Sequence, residues 1–340
     1  MYKKKQVVNV SYRRYEAVST MAMDSGSSRP RMRRLFNAVD DRLLDVAIDH
    51  GVFNEDRFLD GIEDMQAVLQ KLVEAQPDAV QVFICTHALA CARACARSFE
   101  CHSSTHVNPC ITYAHARMHQ VTIGQARLLH KTTGKMPALV IRTDVANIYG
   151  SQAPPLPFCD LQHPDIVLQA LQMDACGVIC NLFKLPDDAE GAVDVHRKCV
   201  QNVTHLRSEC SKYGVVLLVE PLAFKWATDG NGKRLPKFTM DNSLAVTRPL
   251  VRLACELGAD VIKCDLPDQL QEFSKLKHVC APRPVLLRGG EKGEEASVLQ
   301  YAKDLIGAGA SGLVYGRNII HHDDPCRITR EFMKCVHGGV

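Results

Sequence analysis

The sequence predicts an α/β fold, a single-domain (β/α)8 TIM barrel, from three observations. Short apolar runs alternate, from Leu43 onward, with stretches whose apolar residues recur at helical spacing. The runs are continuously apolar, which is typical of parallel strands covered on both faces. Eight such runs lie within the 340 residues, and a barrel of this kind takes about 250 residues.

The predicted strands end at turn or charged residues. The eight strands are 43–49, 79–85, 138–145, 177–184, 215–222, 260–267, 284–290 and 312–318. An open doubly wound sheet is the alternative fold. It is disfavoured because no GxGxxG motif follows an early strand.

Helices are predicted between the strands. The segment 60–75 places Ile62, Met65, Val68, Leu69 and Leu72 on one face. The same spacing recurs in 164–175, 195–214, 244–259 and the segment that ends at 301–312. Gly214 and Gly258 are expected to end two of these helices in a left-handed conformation.

The composition limits the possible partners and compartments. A net charge of +3 does not indicate nucleic acid as a partner, and no apolar run approaches the ~20 residues that cross a bilayer. Fifteen cysteines, many inside apolar segments, are typical of reduced thiols. We expect a cytoplasmic protein with no nucleic-acid or membrane partner.

Residues 1–34 form a basic segment with nine Lys or Arg against Glu16 and Asp24. We expect a flexible arm here. This bias also occurs in organellar transit peptides, so a mitochondrial or plastid location is the alternative. The interpretation opposed to targeting is a disordered basic arm or translation from an upstream start codon.

Two insertions are predicted within the barrel domain, which we assign to 35–340. The first, 86–137, is rich in cysteine and histidine, but its spacing matches no common zinc module, so no metal site is predicted. The second, 223–241, contains the single tryptophan and is expected to form a loop over the barrel mouth.

Polar residues gather where the predicted strands end, and catalytic groups of such barrels lie at the carboxyl ends of the strands. The candidates in chain order are Asp49, His50, Arg142, Lys184, Glu220, Lys263 and Arg288. Lys263 interrupts an apolar strand, where a charged amine is costly unless it is paired or neutralised. An inert ion pair between Glu220 and Lys263 is the alternative.

The last two strands predict a phosphate site. Barrel phosphate sites use the loops after the seventh and eighth strands together with a following helix N-terminus. Gly289, Gly290 and Gly316 would let backbone N–H groups approach the anion, and Arg317 would add a charged clamp.

The motifs "AIDHGV", "VEPLAF", "ADVIKCDLP", "PVLLRGG" and "GASGLVYGRNIIHHDDP" resemble the class I aldolases of the DeoC/LacD group, from about Arg34 to His337. That group includes archaeal-type fructose-bisphosphate, tagatose-bisphosphate and autoinducer-2 processing enzymes. The resemblance implies a (β/α)8 barrel in which Lys263 forms a Schiff base with a ketone, without metal or organic cofactor. It also implies a homo-oligomer and a phosphorylated sugar or hydroxyketone substrate.

Further roles follow from the resemblance. Asp49 would orient the amine or a substrate hydroxyl, Glu220 would be the general acid/base, and Lys184 would assist dehydration or bind a second phosphate. Substrate or phosphate contacts are expected from His50, Arg142, Arg288, Gly289, Gly290, Gly316 and Arg317.

The sequence departs from archaeal fructose-bisphosphate aldolases after the fifth strand. These enzymes have a tyrosine in a "YPRG"-like stretch, where this chain reads "EPLAFK". Three functions therefore stay open: a phosphoketose aldolase, a related transferase or thiolase of the autoinducer-2 type, and a non-catalytic phosphosugar-binding protein.

Overall fold

A computed structural model of the chain describes residues 29–50, 60–83, 136–147 and 157–338. Its strands are β1 (Leu43–Ala47), β2 (Ala79–Phe83), β3 (Ala138–Arg142), β4 (Asp144–Ala146), β5 (Cys159–Leu161), β6 (Gly177–Lys184), β7 (Val216–Thr228), β8 (Arg234–Met240), β9 (Val261–Cys264), β10 (Val285–Arg288) and β11 (Gly312–Tyr315). Eight of these pair in parallel in the order β1–β2–β3–β6–β7–β9–β10–β11, and β11 pairs with β1. The closed barrel confirms the predicted fold class.

The helices surround this barrel and are α1 (Arg29–Leu35), α2 (Met65–Ala75), α3 (Ile166–Gln172), α4 (Ala192–Tyr213), α5 (Leu244–Glu256), α6 (Phe273–Cys280), α7 (Glu295–Gly307), α8 (Arg317–Ile320) and α9 (Pro325–His337), with a 3₁₀ turn at Leu270–Glu272. The predicted helix over 60–75 begins only at Met65, because Asp64 caps it by accepting the Ala67 N–H at 3.0 Å. Helix α4 ends at Gly214 with φ of 65°, as predicted.

Alternate residues of each barrel strand belong to two separate cores. On β1, Leu44 and Val46 pack outward in the core beneath the helices. Leu43 and Ala47 point inward, where they join apolar residues of the other barrel strands. The interior therefore follows the period of two that a strand imposes on its side chains.

Helix α1 corrects the prediction that the flexible arm extends to residue 34. Leu35 and Phe36 belong to the inner core, and Met32 packs against it. Arg31 donates to the Gly214 carbonyl at 3.0 Å, and Arg34 binds Asp174 through two bonds of 2.9 Å. Because its apolar face covers one end of the inner core, the segment is held as a helix despite its basic composition.

The segment 223–241 is mostly a β-hairpin, so the predicted loop is wrong. Strand β7 continues beyond the barrel and pairs with β8 in antiparallel register. The Trp226 and Phe238 rings lie 4.7 Å apart, and the Arg234 guanidinium lies 3.6 Å above the Trp226 ring. Trp226 also donates to Asp188 at 2.7 Å. These contacts extend the strand pairing outward from the barrel.

Two sequence predictions lie outside the described residues. These are the arm over 1–28 and nearly all of the insertion 86–137, including its cysteines and histidines. In the part of the chain that the structure describes, no helix is long and apolar enough to cross a membrane. The same part contains no group of three or more His, Cys, Asp or Glu side chains arranged to hold a metal ion.

Candidate active site

Lys263 lies inside the barrel on β9, with its side chain 4% exposed. Its Nζ is 3.2 Å from Glu220 Oε2 and donates to Gln81 Oε1 at 3.2 Å. Glu220 comes from β7 and Gln81 from β2, so residues far apart in the sequence meet at this amine. The partners explain how a charged group is accommodated in an apolar strand.

Glu220 accepts from three cationic side chains. Arg142 Nη2 and Lys263 Nζ contact Oε2, and Arg288 Nη1 donates to Oε1 at 3.2 Å. Burial disfavours the charged carboxylate, but the charges of Lys263, Arg142 and Arg288 outweigh burial and hold the Glu220 pKa well below its ordinary value. In this arrangement Glu220 is a carboxylate at neutral pH. Its resting state is that of a proton acceptor, and its predicted role as general acid/base stays a prediction.

Arg142 is a fully buried residue of β3, and its predicted contact with substrate or phosphate stays a prediction. Its side chain is 0% exposed. Nε donates to Asp49 at 2.9 Å, Nη1 to Asn181 at 3.1 Å and Nη2 to Glu220. A guanidinium enclosed by these acceptors positions the interior carboxylates.

Gln81 links Asp49 to the amine and was not predicted as a site residue. Its Nε2 donates to Asp49 Oδ2 at 2.6 Å, while its Oε1 accepts from Lys263. Burial opposes ionisation of Asp49, but the charges of Arg142 and Lys263 keep its pKa below the ordinary value. Gln81 therefore connects Asp49 to the amine, and the role of Asp49 in orienting that amine stays a prediction. The signal that identified Lys263, a polar residue inside an apolar strand, is also present in "AVQVF".

Asp144 and Asn181 support Arg142 from behind. Asp144 Oδ2 accepts from the Asn181 side chain at 2.8 Å and from its backbone N–H at 3.0 Å. Asp144 Oδ1 lies 3.6 Å from Arg142 Nη1. Both residues stand at predicted strand ends, but their types alone do not indicate this supporting role.

Arg288 and Asp265 form the rim of the cluster. Arg288 Nε and Nη2 donate to the two Asp265 carboxylate oxygens at 2.7 and 3.2 Å, and its side chain is 20% exposed. This partial exposure leaves Arg288 as the cationic group of the cluster nearest to solvent. Its predicted contact with substrate stays a prediction.

The loops after β10 and β11 meet at the predicted phosphate site. Arg317 Nη2 donates to the Gly290 carbonyl at 3.4 Å. Asn318 joins the same loops by accepting from Gly293 N–H and donating to the Glu291 carbonyl, both at 2.9 Å. The Gly289 N–H donates to the Val314 carbonyl at 2.9 Å, and the predicted contact of Gly289 with phosphate stays a prediction.

His50 packs against Gly316 at the edge of this site. A Cβ at Gly316 would lie 2.5 Å from His50 Cε1 and 2.8 Å from the Ala47 carbonyl oxygen. Burial lowers the His50 pKa to about 4, so its ring is neutral at physiological pH. Its Nδ1 is buried without a hydrogen-bond partner among the described residues.

Lys184 is the predicted catalytic residue that the structure separates from the others. It ends β6 and pairs with the exposed Asp187 three residues later. Its Nζ points to this surface pair and not to the carboxylates around Lys263. The sequence placed Lys184 at the correct strand end but could not indicate that its side chain turns outward.

Comparison with known proteins finds aldolase relatives. A family model described as DeoC/LacD family aldolase matches residues 104–322. The chain is 25% identical over 313 residues to an uncharacterized aldolase of Saccharolobus solfataricus, covering 91% of this chain and 94% of that protein. It is 27% identical over 220 residues to 2-amino-3,7-dideoxy-D-threo-hept-6-ulosonate synthase 1 of Archaeoglobus fulgidus, covering 63% and 75%.

Solved structures agree at the level of the fold. The structure of an archaeal fructose 1,6-bisphosphate aldolase matches with a TM-score of 0.61 at 19% identity, over 91% of this chain and 99% of that chain. The family model extends over more than half of the sequence. The chain therefore belongs to the DeoC/LacD family of class I aldolases.

Proposed function

We propose that the protein is a Schiff-base aldolase that cleaves or forms a carbon–carbon bond in a phosphorylated ketose or related hydroxyketone, with Lys263 as the nucleophile. The observation that supports this proposal best is the buried Lys263 amine, held between Glu220 and Gln81 at 3.2 Å from each. Desolvation activates a lysine as a nucleophile, whereas a protein that only binds its ligand has no need of a buried amine.

The proposed reaction begins when the neutral Lys263 amine adds to the substrate ketone. The resulting carbinolamine loses water and forms an iminium ion. Cleavage of the carbon–carbon bond moves its electron pair toward the iminium nitrogen, which gives an enamine and releases an aldehyde. Protonation and hydrolysis of the enamine then release the second product and restore the amine.

The surrounding residues have distinct roles in this proposal. The Glu220 carboxylate faces the nitrogen and stabilises the positive charge of the iminium. Asp49 fixes the orientation of the amine through Gln81. Gly290, Gly316 and Arg317 hold the substrate phosphate, with His50 and Arg288 at the edge of the same space. Glu220 or a water molecule relays the protons.

The β7–β8 hairpin bears on the identity of the substrate. In this chain β7 runs without interruption through "EPLAFK", with Pro221, Leu222 and Ala223 buried. The strand contains no tyrosine in the segment where archaeal fructose-bisphosphate aldolases have a "YPRG"-like stretch. We therefore extend the proposed substrates beyond fructose 1,6-bisphosphate. A related acyl or ketol transfer through the same lysine is the second candidate.

Borohydride trapping followed by peptide mass mapping tests the proposal. The protein is incubated separately with dihydroxyacetone phosphate, fructose 1,6-bisphosphate and other ketose phosphates. We expect a reduced adduct on Lys263 that is absent in Lys263→Met and retained in Lys275→Met, a control at an exposed lysine on α6. Binding of these phosphates without any trapped adduct would favour a non-catalytic phosphosugar-binding protein.

The oligomeric state is a separate part of the proposal. We propose that the chain assembles with copies of itself, as its resemblance to the family implies. Sedimentation equilibrium measures the mass of the particle directly. A mass equal to one chain of 37.7 kDa at micromolar concentration would contradict this expectation.

A further inference from the structure

Asp45 is a buried carboxyl group that the proposed mechanism does not use. It lies on β1 with 0% exposure, and neither of its carboxylate oxygens has a hydrogen-bond partner among the described residues. An unpaired buried polar group costs free energy, and an unpaired buried charge costs far more. The inner-core residues of the neighbouring strands at this depth are apolar, so the packing of the fold gives no reason for a carboxyl here.

The strand register places Asp45 in an apolar layer of the barrel interior. Points of equal height lie about one residue further along each successive strand of such a barrel. Asp45 pairs with Ala79 on β2 and with Val314 on β11. Following the register one strand further on each side, and correcting for the rise of one residue per strand, places Val140 of β3 and Leu286 of β10 at the height of Asp45. Layers of this kind are normally filled by branched apolar residues.

Lys263 lies just above this layer. The register joins Lys263 to Leu286, Leu286 to Gly312 and Gly312 to Leu43. With about one residue of rise for each of these three steps, Lys263 stands at a height between Asp45 and Ala47. Both side chains point into the barrel, so the carboxyl of Asp45 lies beneath the proposed nucleophile.

Other charged groups act on Asp45 from neighbouring strands, and they are Lys263 on β9, Arg142 on β3, Glu220 on β7 and Asp49 after β1. The two carboxylates in this set already accept hydrogen bonds from Arg142. Among these interior carboxyl groups, Asp45 alone has no hydrogen-bond donor in the described structure. It is therefore the group able to accept a proton without breaking an existing hydrogen bond.

We propose that Asp45 is a positioning residue that shares one proton with Lys263 and thereby supplies the neutral amine. No hydrogen bond or ion pair in the described structure joins the two groups, so the proton is exchanged through solvent. One N–H bond of the Lys263 ammonium breaks as solvent takes the proton, and one O–H bond forms on Asp45 as solvent supplies one, so the total charge of the interior is unchanged. The inference rests on the proposed role of Lys263 as the Schiff-base nucleophile. Asp45 acts through the lysine and does not contact the substrate.

The electrostatics of the site agree with this exchange. Burial raises the pKa of Asp45 to about 7, although the positive charge of Lys263 opposes the rise. A carboxyl with this pKa takes up and releases a proton near neutral pH. Two groups that share a proton titrate as a pair, with two macroscopic steps.

The reaction of Lys263 with acetylacetone tests this proposal without the natural substrate. This diketone condenses with a reactive lysine to give an enaminone, whose ultraviolet absorbance reports the rate. In the wild-type protein we expect a rate that rises with pH in two steps, with a plateau near neutrality while the pair shares a proton. In Asp45→Asn we expect a single step, about 1 pH unit below the upper wild-type step, because no anion at position 45 retains the ammonium proton.

Two further variants separate this role from a purely structural one. Asp45→Leu matches the apolar layer, and we expect it to fold, to raise the melting temperature and to show the same single step. Asp304→Asn, at an exposed carboxylate on α7, controls for the loss of one charge and should retain both steps. Infrared difference spectra should show a protonated carboxyl band at neutral pH that is missing in both Asp45 variants.

The possible failures are distinguishable. An unchanged two-step profile in Asp45→Asn would show that Asp45 does not titrate with the amine, and it would leave the aldolase proposal intact. A wild-type protein that forms neither the enaminone nor the borohydride adduct would refute the role of Lys263, and the inference about Asp45 would fall with it.

Discussion

At the scale of single residues, the interior of the barrel contains polar side chains within strands that are otherwise apolar. Lys263, Gln81 and Arg142 each interrupt a run of buried aliphatic residues, and each finds its partners on other strands. Burying one polar or charged side chain alone costs free energy, and the hydrogen bonds among these three residues and their partners offset that cost. Replacing one of these residues should therefore destabilise the protein more than the size of the lost side chain suggests, because its buried partners lose their hydrogen bonds.

The first prediction concerns Gln81. Gln81→Met keeps the volume of the side chain but removes both bonds that join Asp49 to Lys263. We expect the rate of adduct formation on Lys263 to fall about tenfold to a hundredfold, because the amine loses its fixed orientation. Timed borohydride trapping measures this rate. Gln271→Met, at an exposed position, is the control, and an equal rate in the two variants would contradict the role of Gln81.

The second prediction concerns Glu220. Glu220→Gln removes the only charge in the described interior that contacts Arg142, Lys263 and Arg288 together. We expect the free energy of unfolding to fall by about 3–5 kcal/mol, because two buried cations and the partly exposed Arg288 lose a common partner. Chemical denaturation measures this change. Glu256→Gln breaks an exposed pair with Arg252 and should cost less than about 1 kcal/mol.

At the scale of elements, the site depends on turns that hold two loops close together. The turn between β11 and α8 passes beneath His50, and the loop after β10 is joined to it through Asn318. Neither turn has apolar periodicity, so sequence analysis identified them only by their glycines and their place after the last strands. The hairpin β7–β8 was missed for a similar reason, since its turn residues indicate a break in the chain but not the pairing across it.

The third prediction tests the turn at Gly316. In Gly316→Ala the new methyl group would lie within 3 Å of both His50 and the Ala47 carbonyl oxygen, so the turn must move away from β1. We expect a loss of affinity for dihydroxyacetone phosphate of at least about tenfold, because two loops of the proposed phosphate site are displaced. Isothermal titration calorimetry measures the affinity.

Gly307→Ala provides the matched control for this prediction. Gly307 is a helical residue of α7, and a methyl group added there would meet no atom within 4 Å outside its own helix backbone and chain neighbours. The substitution should leave the affinity unchanged and raise the free energy of unfolding by about 0.5–1 kcal/mol. Wild-type affinity in Gly316→Ala would show that this turn tolerates a side chain and does not shape the site.

At the scale of the whole molecule, the sequence predicts the order of elements better than their contacts. Continuous apolar runs and glycine stops were sufficient for the barrel, and strand ends located Lys263, Glu220 and Asp49. The inward or outward direction of a side chain depends on strand register, which is set only when the barrel closes. This is why the sequence does not show that Lys184 pairs with Asp187, that Arg142 is enclosed by carboxylates, or that Gln81 contacts Lys263.

The last helix is joined to the segments that precede β1 and β2. His337, at the end of α9, contacts Asp40 before β1 through Nδ1 at 2.8 Å and Asp78 before β2 through Nε2 at 2.9 Å. The side chain of His337 is 11% exposed. A carboxylate only accepts hydrogen bonds, so both ring nitrogens must carry a proton and the ring is an imidazolium in this arrangement.

The last prediction follows from this charged contact. Burial opposes the charge on His337, but its hydrogen bonds to Asp78 and Asp40 outweigh burial and raise its pKa above the ordinary value. A raised pKa in the folded state means that the contact stabilises the protein fully below the unfolded pKa of about 6.5 and less as the pH rises through the folded value. We expect His337→Gln to cost about 1.5–3 kcal/mol at pH 6 and progressively less above neutrality.

Thermal unfolding of both proteins across this pH range measures the difference. His278→Gln, at an exposed position on α6, should give a small difference that does not change with pH. A constant difference between wild type and His337→Gln at every pH would show that packing, and not the imidazolium, joins the last helix to the start of the barrel. Because the same contact holds the starts of β1 and β2 together, its loss at high pH should weaken the end of the barrel opposite the reactive lysine before it affects the site itself.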